Sequence, residues 1–194
     1  SSNRFSGATL IDSGSALYAG RVNGLAGWFG SGDVTNNGTL YLDRGGSLVC
    51  SNGFFGSGTV NLRYGLDLTF SDCFSSNATW HLAHGAITLT NGAEFCTYNE
   101  LTIANRDNVG YGSMDSYNSY AVKLTNVVAT FTVTDGCLLQ VKSMTFGNGG
   151  DLSGGTMTGI LNQAGGIVRT TGTTAEGNGV RLGHYPQTRS FYNM

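Results

Sequence analysis

Thr39-Leu40-Tyr41-Leu42, Thr59-Val60-Asn61-Leu62 and Thr79-Trp80-His81-Leu82 are one unit written three times, and Glu100-Leu101-Thr102-Ile103 begins a fourth. The numbering advances by 20, then 20, then 21 from each copy to the next. A second apolar column follows at Leu48, Leu68 and Leu89, and a third at Phe54, Phe74 and Phe95. Between the first two columns stand Gly45, Gly65 and Gly85. The single slip falls between Gly85 and Leu89, and the later columns inherit it. A fixed period near 20 with apolar columns marks a repeating architecture. The expected fold is all-β: a parallel β-helix, a solenoid with coils of about 20 residues.

The reason is local. Leu40 and Leu42 flank Tyr41, Val60 and Leu62 flank Asn61, and Trp80 and Leu82 flank His81. That alternation puts one set of side chains on one face of a strand. The segments are short and bounded by Gly, Asn, Asp or Ser, which suits strands ending in turns and not helices. A lone coil cannot bury its inward residues. Stacked coils can, and each large apolar side chain buried contributes about 1.5–3 kcal/mol.

Composition agrees with a surface of turns and polar strand faces. Glycine accounts for 31 of 194 residues, twice its usual share of about 7%. Charged residues make up 11%, against about 25% in ordinary domains. The hydrophobic share of 40% is too high for a disordered chain. A net charge of −2 argues against a nucleic-acid partner, which asks for a basic stripe. No apolar run approaches the roughly 20 residues of a membrane span, so membrane insertion is not expected. No signal-peptide pattern opens the chain. Its start at Ser1 suggests a mature or trimmed protein, and its stop at Met194 in mid-repeat suggests part of something longer.

Cysteines stand at 50, 73, 96 and 137, without C-x-x-C spacing. Cys50 falls two places after Leu48 and is expected to point inward. Cys73 and Cys96 flank the Phe74 and Phe95 column in frames two positions apart. The plain reading is small apolar thiols; a Cys73–Cys96 bridge is the alternative.

Along the chain, residues 1–37 read as irregular N-terminal coils or a cap. The stretch from Trp28 to Val34 echoes that from Phe54 to Val60, but at an offset of 26 in the numbering where the repeat would give 20. That implies some six extra positions bulging near Thr35 to Asn37. Residues 38–103 are regular coils. Residues 104–121 read as a loop insertion, and the coil pattern returns over 122–194. Long loops in compact repeats are functional or mobile. Tyr111, Asp115, Tyr117 and Tyr120 in this loop are the candidate binding residues, because tyrosine with Asn and Ser stacks on and hydrogen-bonds a glycan or protein.

The last third carries a resemblance. Gly159-Ile160-Leu161-Asn162-Gln163-Ala164-Gly165-Gly166-Ile167-Val168, then Leu182-Gly183 and Tyr192-Asn193-Met194, resemble the Gly-rich repeats of autotransporter-type passenger and related giant surface proteins of bacteria. Ala129 to Gly150 is similar to the same class. The resemblance covers most of the chain loosely. It implies a right-handed parallel β-helix, a secreted, extracellular or cell-surface location, and adhesive or scaffold use. The outer-membrane barrel of such proteins is missing from this sequence.

Catalysis finds no such column. Polysaccharide lyases and hydrolases on parallel β-helices need clustered carboxylates on one strand face. Here Asp43 gives way to Arg63 and Ala83 in the next coils, and Asp67 to Thr88. Asp107 and Asp115 share a loop and could form a glycosidase pair. His81 and His84 lack a third ligand at metal spacing, and His81 is expected outward and solvated. Gly147-Asn148-Gly149-Gly150-Asp151-Leu152 resembles half of a Ca²⁺-binding repeat but occurs once. Asn37-Gly38-Thr39 and Asn77-Ala78-Thr79 fit the glycosylation pattern, though each also sits at a turn entering a strand. The expectation is a non-catalytic structural or adhesive β-helix with no cofactor and no metal. Its expected partners are a protein or glycan at a cell surface, with self-association into fibres. The alternatives are a polysaccharide-active β-helix enzyme and a phage tailspike segment.

Overall fold

A computed structural model describes residues 6–20, 28, 30–105, 126–148, 156–172, 179–183 and 188–194. All regular secondary structure among them is strand. The strands are β1 (Thr9–Ile11), β2 (Ala16–Ala19), β3 (Val34–Asn36), β4 (Thr39–Asp43), β5 (Gly46–Cys50), β6 (Phe54–Arg63), β7 (Leu66–Ser71) and β8 (Phe74–Leu82). They continue with β9 (Gly85–Thr90), β10 (Glu94–Asn105), β11 (Asn126–Thr134), β12 (Leu138–Asn148), β13 (Thr156–Ala164), β14 (Ile167–Thr170), β15 (Val180–Leu182) and β16 (Thr188–Asn193). One sheet runs β1-β3-β6-β8-β10-β12-β14, with β2 on β4, β4 on β6, and β15 on β12. The other runs β16-β13-β11-β9-β7-β5. Every pairing is parallel. From β4 to β13 the chain alternates between the two sheets, and each strand pairs with its counterpart one repeat away.

The register follows the sequence period. Leu17 pairs with Leu40, Leu40 with Val60, Val60 with Trp80, Trp80 with Leu101, Leu101 with Met144 and Met144 with Val180. Two residues on, Ala19, Leu42, Leu62, Leu82, Ile103, Phe146 and Leu182 form a second ladder by the same pairings. From Leu40 to Met144 and from Leu42 to Phe146, every rung is fully buried. In the second sheet Leu48, Leu68, Ile87, Phe131, Leu161 and Tyr192 stack in register. Strand alternation turns these faces toward a shared core.

Aromatic rings fill the centre. Phe54, Phe70, Trp80, Phe95 and Phe131 contact one another with centroids 4.9–5.8 Å apart, most of them edge to face. That geometry suits the ring quadrupoles and adds about 0.5–1.5 kcal/mol per pair beyond area burial. Phe54, Trp80 and Phe95 come from one sheet, and Phe70 and Phe131 from the other. The column therefore joins the two sheets.

The structure corrects three details of the repeat. Phe74 is not in the third column: Phe95 pairs with Ser75, and the Phe54 amide donates to Ser75 Oγ at 3.2 Å. The inward column is Val34, Phe54, Ser75, Phe95 and Leu139, while Phe74 faces solvent against Phe55. Leu89 pairs with Phe70, and Leu68 pairs with Ile87. The single slip is in fact several compensating ones. The turn at Ala83 and His84 is one residue shorter than its predecessor, and the turn at 91–93 restores it. A register shift between Thr97 and Glu100 then adds one. Turns absorb length changes because only the strands are held in register. Finally, Thr35 to Asn37 is no bulge. Val34 and Thr35 pair with Phe54 and Phe55, one full repeat ahead, and Val34 is the buried residue stacked on Phe54. Trp28 instead meets the Phe54 ring edge-on at 6.3 Å.

Polar side chains satisfy the backbone where the long strands change register. Asn36 and Asn77 are fully buried. Asn77 Nδ2 donates to Phe55 O at 2.9 Å and Asn36 O at 3.3 Å, and Asn36 Nδ2 donates to Thr59 O at 3.0 Å. Between them Gly56 has φ +109°, and a Cβ there would lie 2.3 Å from Asn36 O. Only glycine fits. The same burial removes Asn77 as a glycan acceptor in the folded chain, whereas Asn37 is half-buried.

Denaturant unfolding tests the corrected column. Phe95→Ala is expected to cost about 3–5 kcal/mol, as for large core aromatics, and Phe74→Ala less than about 1 kcal/mol.

Candidate functional site

The second ladder of interest lies on the opposite face of the same strands. Between the buried leucines, strand alternation turns Tyr18, Tyr41, Asn61, His81, Thr102, Thr145 and Arg181 outward, each in register with the next. Parallel pairing puts equivalent positions about 4.8 Å apart, so neighbouring rings can stack. Tyr18 and Tyr41 do so, with centroids 4.6 Å apart and planes at 12°.

The next repeat continues that stack with a cation. The Arg63 guanidinium lies 4.3 Å over the Tyr41 ring and 5.5 Å from the Tyr64 ring. Asp43 and Arg63 are register partners, one repeat apart. Arg63 donates through Nε to Asp43 Oδ1 at 2.6 Å and through Nη2 to Asp43 Oδ2. Both side chains are buried. Burial works against the Arg63 charge, but the two bonds and the Asp43 carboxylate outweigh it and hold the guanidinium above its ordinary range. Burial also pushes the Tyr64 phenol up, against the pull of Arg63.

Further along, His81 Nδ1 lies 2.7 Å from Thr102 Oγ1. His81 is outward on its strand, but half-buried and hydrogen-bonded where solvation was expected. His84 points elsewhere, its Nδ1 accepting from the Val128 amide at 3.2 Å. Between Tyr41 and His81, Asn61 is 2% exposed and its Oδ1 has no hydrogen-bond partner.

This face holds groups suited to hydrogen bonding and stacking. Asp43 is its one carboxylate beside Arg63, and both Asp43 oxygens are occupied. Among the described residues no three His, Cys, Asp or Glu side chains are grouped to hold a metal ion.

Comparison of the chain with protein-family models, with curated proteins and with solved structures finds no match. The ladder is therefore read on its own geometry.

Tyr111, Asp115, Tyr117 and Tyr120 lie outside the described residues, as do Asp107 and Gly149 to Leu152. The outward ladder was the feature that sequence reading passed over. Its signal was present: Asp43 and Arg63 are opposite charges one repeat apart. Read as a broken carboxylate column, they look like loss of function; stacked, they are an ion pair.

The thiols are unpaired. Cys50 and Cys137 are buried, and Cys73 and Cys96 are half-buried. Cys96 pairs with Ser76, three positions along from Cys73, so the bridge considered above is not formed. Burial pushes the Cys50 thiol up to about 12, and burial also raises Cys73 and Cys96. The folded state thus holds the Cys50 proton where an ordinary thiol releases it. Its stabilising contribution is present below pH 9 and lost as pH rises from about 9 to about 12, at up to about 1.4 kcal/mol per pH unit.

Two outcomes are expected. In a thiol-reagent assay at pH 8, Cys50 reacts only after denaturant is added. Removing one partner of the buried pair, as in Arg63→Met, costs about 3–5 kcal/mol in denaturant unfolding, and Asp43→Leu with Arg63→Met recovers most of that loss.

Proposed function

We propose that the chain is a right-handed parallel β-helix with coils of about 20 residues, and that it is a non-catalytic structural or adhesive segment of a secreted or cell-surface protein. The observation that carries this reading is the pair of uninterrupted inward ladders beside an outward face that, among the described residues, stacks no column of carboxylates. Each coil repeats its neighbour's backbone and inward side chains, so length comes from adding coils, while the outward positions vary freely. A repeated rod with variable outer positions serves reach and display. The resemblance of Gly159 to Val168 and of the Tyr192-Asn193-Met194 stretch to Gly-rich bacterial surface repeats points the same way.

The outward ladder supplies the contact surface in this reading. The exposed Tyr18 and the half-buried Tyr41 and His81 offer the stacking and hydrogen bonds that a glycan or a protein loop uses, while Asn61, Thr102 and Thr145 are buried beneath that surface. The Arg63 guanidinium of the ion pair packs over the Tyr41 ring at 4.3 Å. The unreactive Cys50 suits an oxidising exterior, since a thiol without thiolate resists oxidation.

The discriminating experiment is a two-part assay on the purified chain. Incubation with uronate-containing and sulfated polysaccharides should release neither reducing ends nor unsaturated products, while a glycan or cell-surface binding assay should give retention that drops at least about tenfold in Tyr41→Ala. Turnover of any of these polymers, or retention unchanged in that variant, would overturn the reading.

A further inference from the structure

We propose that an aromatic cup on the outer face of the first sheet, centred on Ser76, is a docking site for a lysine side chain of a partner protein. The cup lies on the first halves of β6, β8 and β10, apart from the ladder of Tyr41.

Alternation and register build it. Phe54, Ser75 and Phe95 point inward, so Phe55, Ser76 and Cys96 point outward, and these three are register partners on adjacent strands. Phe74, two residues before Ser76, shares the same face. The Phe55 and Phe74 rings meet with centroids 5.9 Å apart and planes at 52°. Gly53 makes room for them, since a Cβ there would lie 2.4 Å from the Phe55 ring. Tyr98 closes the remaining side. It stands on β10, yet its hydroxyl donates to Gly56 O on β6, so its side chain crosses β8 just beyond Ser76. β6 and β10 are two strand spacings apart, roughly 10 Å, which leaves an opening for one side chain. Phe74 is 47% exposed and Tyr98 is 51% exposed. Both stand on interior strands, flanked on each side, so this surface is not a sheet end.

Charge selects the occupant. Glu94 is the register partner of Phe74 and is exposed. Its carboxylate lies near the cup: burial raises the Cys96 thiol, and the Glu94 charge raises it further. Asp72, also exposed, stands two residues before Phe74. Residues 51–58, 71–78 and 91–99, which form this region, contain no Lys, Arg or His. The one ion pair among the described residues joins Asp43 to Arg63, so Glu94 and Asp72 have no cation. Ser76 Oγ has no hydrogen-bond partner among the described residues either. Aromatic faces attract a cation within about 6 Å of the ring centroid. They also pack against a methylene stem. The Ser76 oxygen and the Glu94 carboxylate ask for N–H donors, and a lysine ammonium brings three of them on such a stem. A quaternary ammonium brings none, and a neutral sugar leaves the Glu94 charge unmatched.

An NMR titration of the full chain, read at backbone amides, tests the site. The probe is acetyl-Gly-Ser-Lys-Ser-Gly-amide. The expected result is saturable shifts at the Ser76 and Cys96 amides. The same peptide with its lysine acetylated should bind at least about tenfold more weakly, since acetylation removes the charge. Phe74→Ala and Glu94→Gln, both at exposed positions, should each weaken the lysine peptide about fivefold or more while the rest of the spectrum stays in place. Absence of saturable shifts, shifts scattered to other carboxylates such as Asp67, equal binding of the acetylated peptide, or unchanged affinity in Phe74→Ala would overturn the proposal. So would choline or cellobiose shifting the same amides as strongly as the lysine peptide. None of these outcomes bears on the Tyr41 face, which shares no residue with the cup.

Discussion

Parallel, in-register pairing governs this molecule. Once Leu40 hydrogen-bonds alongside Val60, and Val60 alongside Trp80, every side chain inherits neighbours of its own column about 4.8 Å above and below. Like must then stack on like. The Leu40 and Leu42 ladders stay apolar through every repeat, and where a polar rung does enter the core, at Ser75, its Oγ accepts from the Phe54 amide at 3.2 Å. Corner positions tolerate buried asparagine only because Asn36 and Asn77 return their amides to backbone carbonyls. Outward positions carry polar and aromatic side chains, and there Tyr18, Tyr41, Asn61 and His81 differ from repeat to repeat.

The same constraint explains how charge enters so neutral a chain. An isolated Asp43 or Arg63 on a covered face would face a desolvation cost of several kcal/mol. Stacked one repeat apart, each satisfies the other, and Tyr41 adds a ring beneath the guanidinium. The pair also fixes the register of β4 against β6, since a slip by one residue would separate the charges and turn the leucines outward. A buried polar element thus specifies alignment where uniform apolar ladders alone would permit sliding.

Much of this was legible in the residues. The regular step and the Leu-x-Leu alternation pointed to the strands, their parallel stacking and the inward ladders, because those are periodic. What was not legible falls where periodicity stops. Phe74 looked like a core residue because it stands one period after Phe54, yet Ser75 takes the inward position, and alternation sends Phe74 out. Trp28 seemed to align with Phe54 through a Gly-Ser-Gly match, but Val34 holds that register. Turn lengths near Ala83 and at 91–93 vary because no ladder fixes them. The outward ladder was missed for a different reason: its members share no residue type, only a shared face.

The most direct measurement is nuclear Overhauser contact mapping on the isotopically labelled chain. The account predicts interstrand backbone contacts linking Leu40 to Val60, Val60 to Trp80 and Trp80 to Leu101, all with parallel-strand geometry. Antiparallel cross-strand contacts, or contacts joining these residues to partners outside their own column, would contradict it.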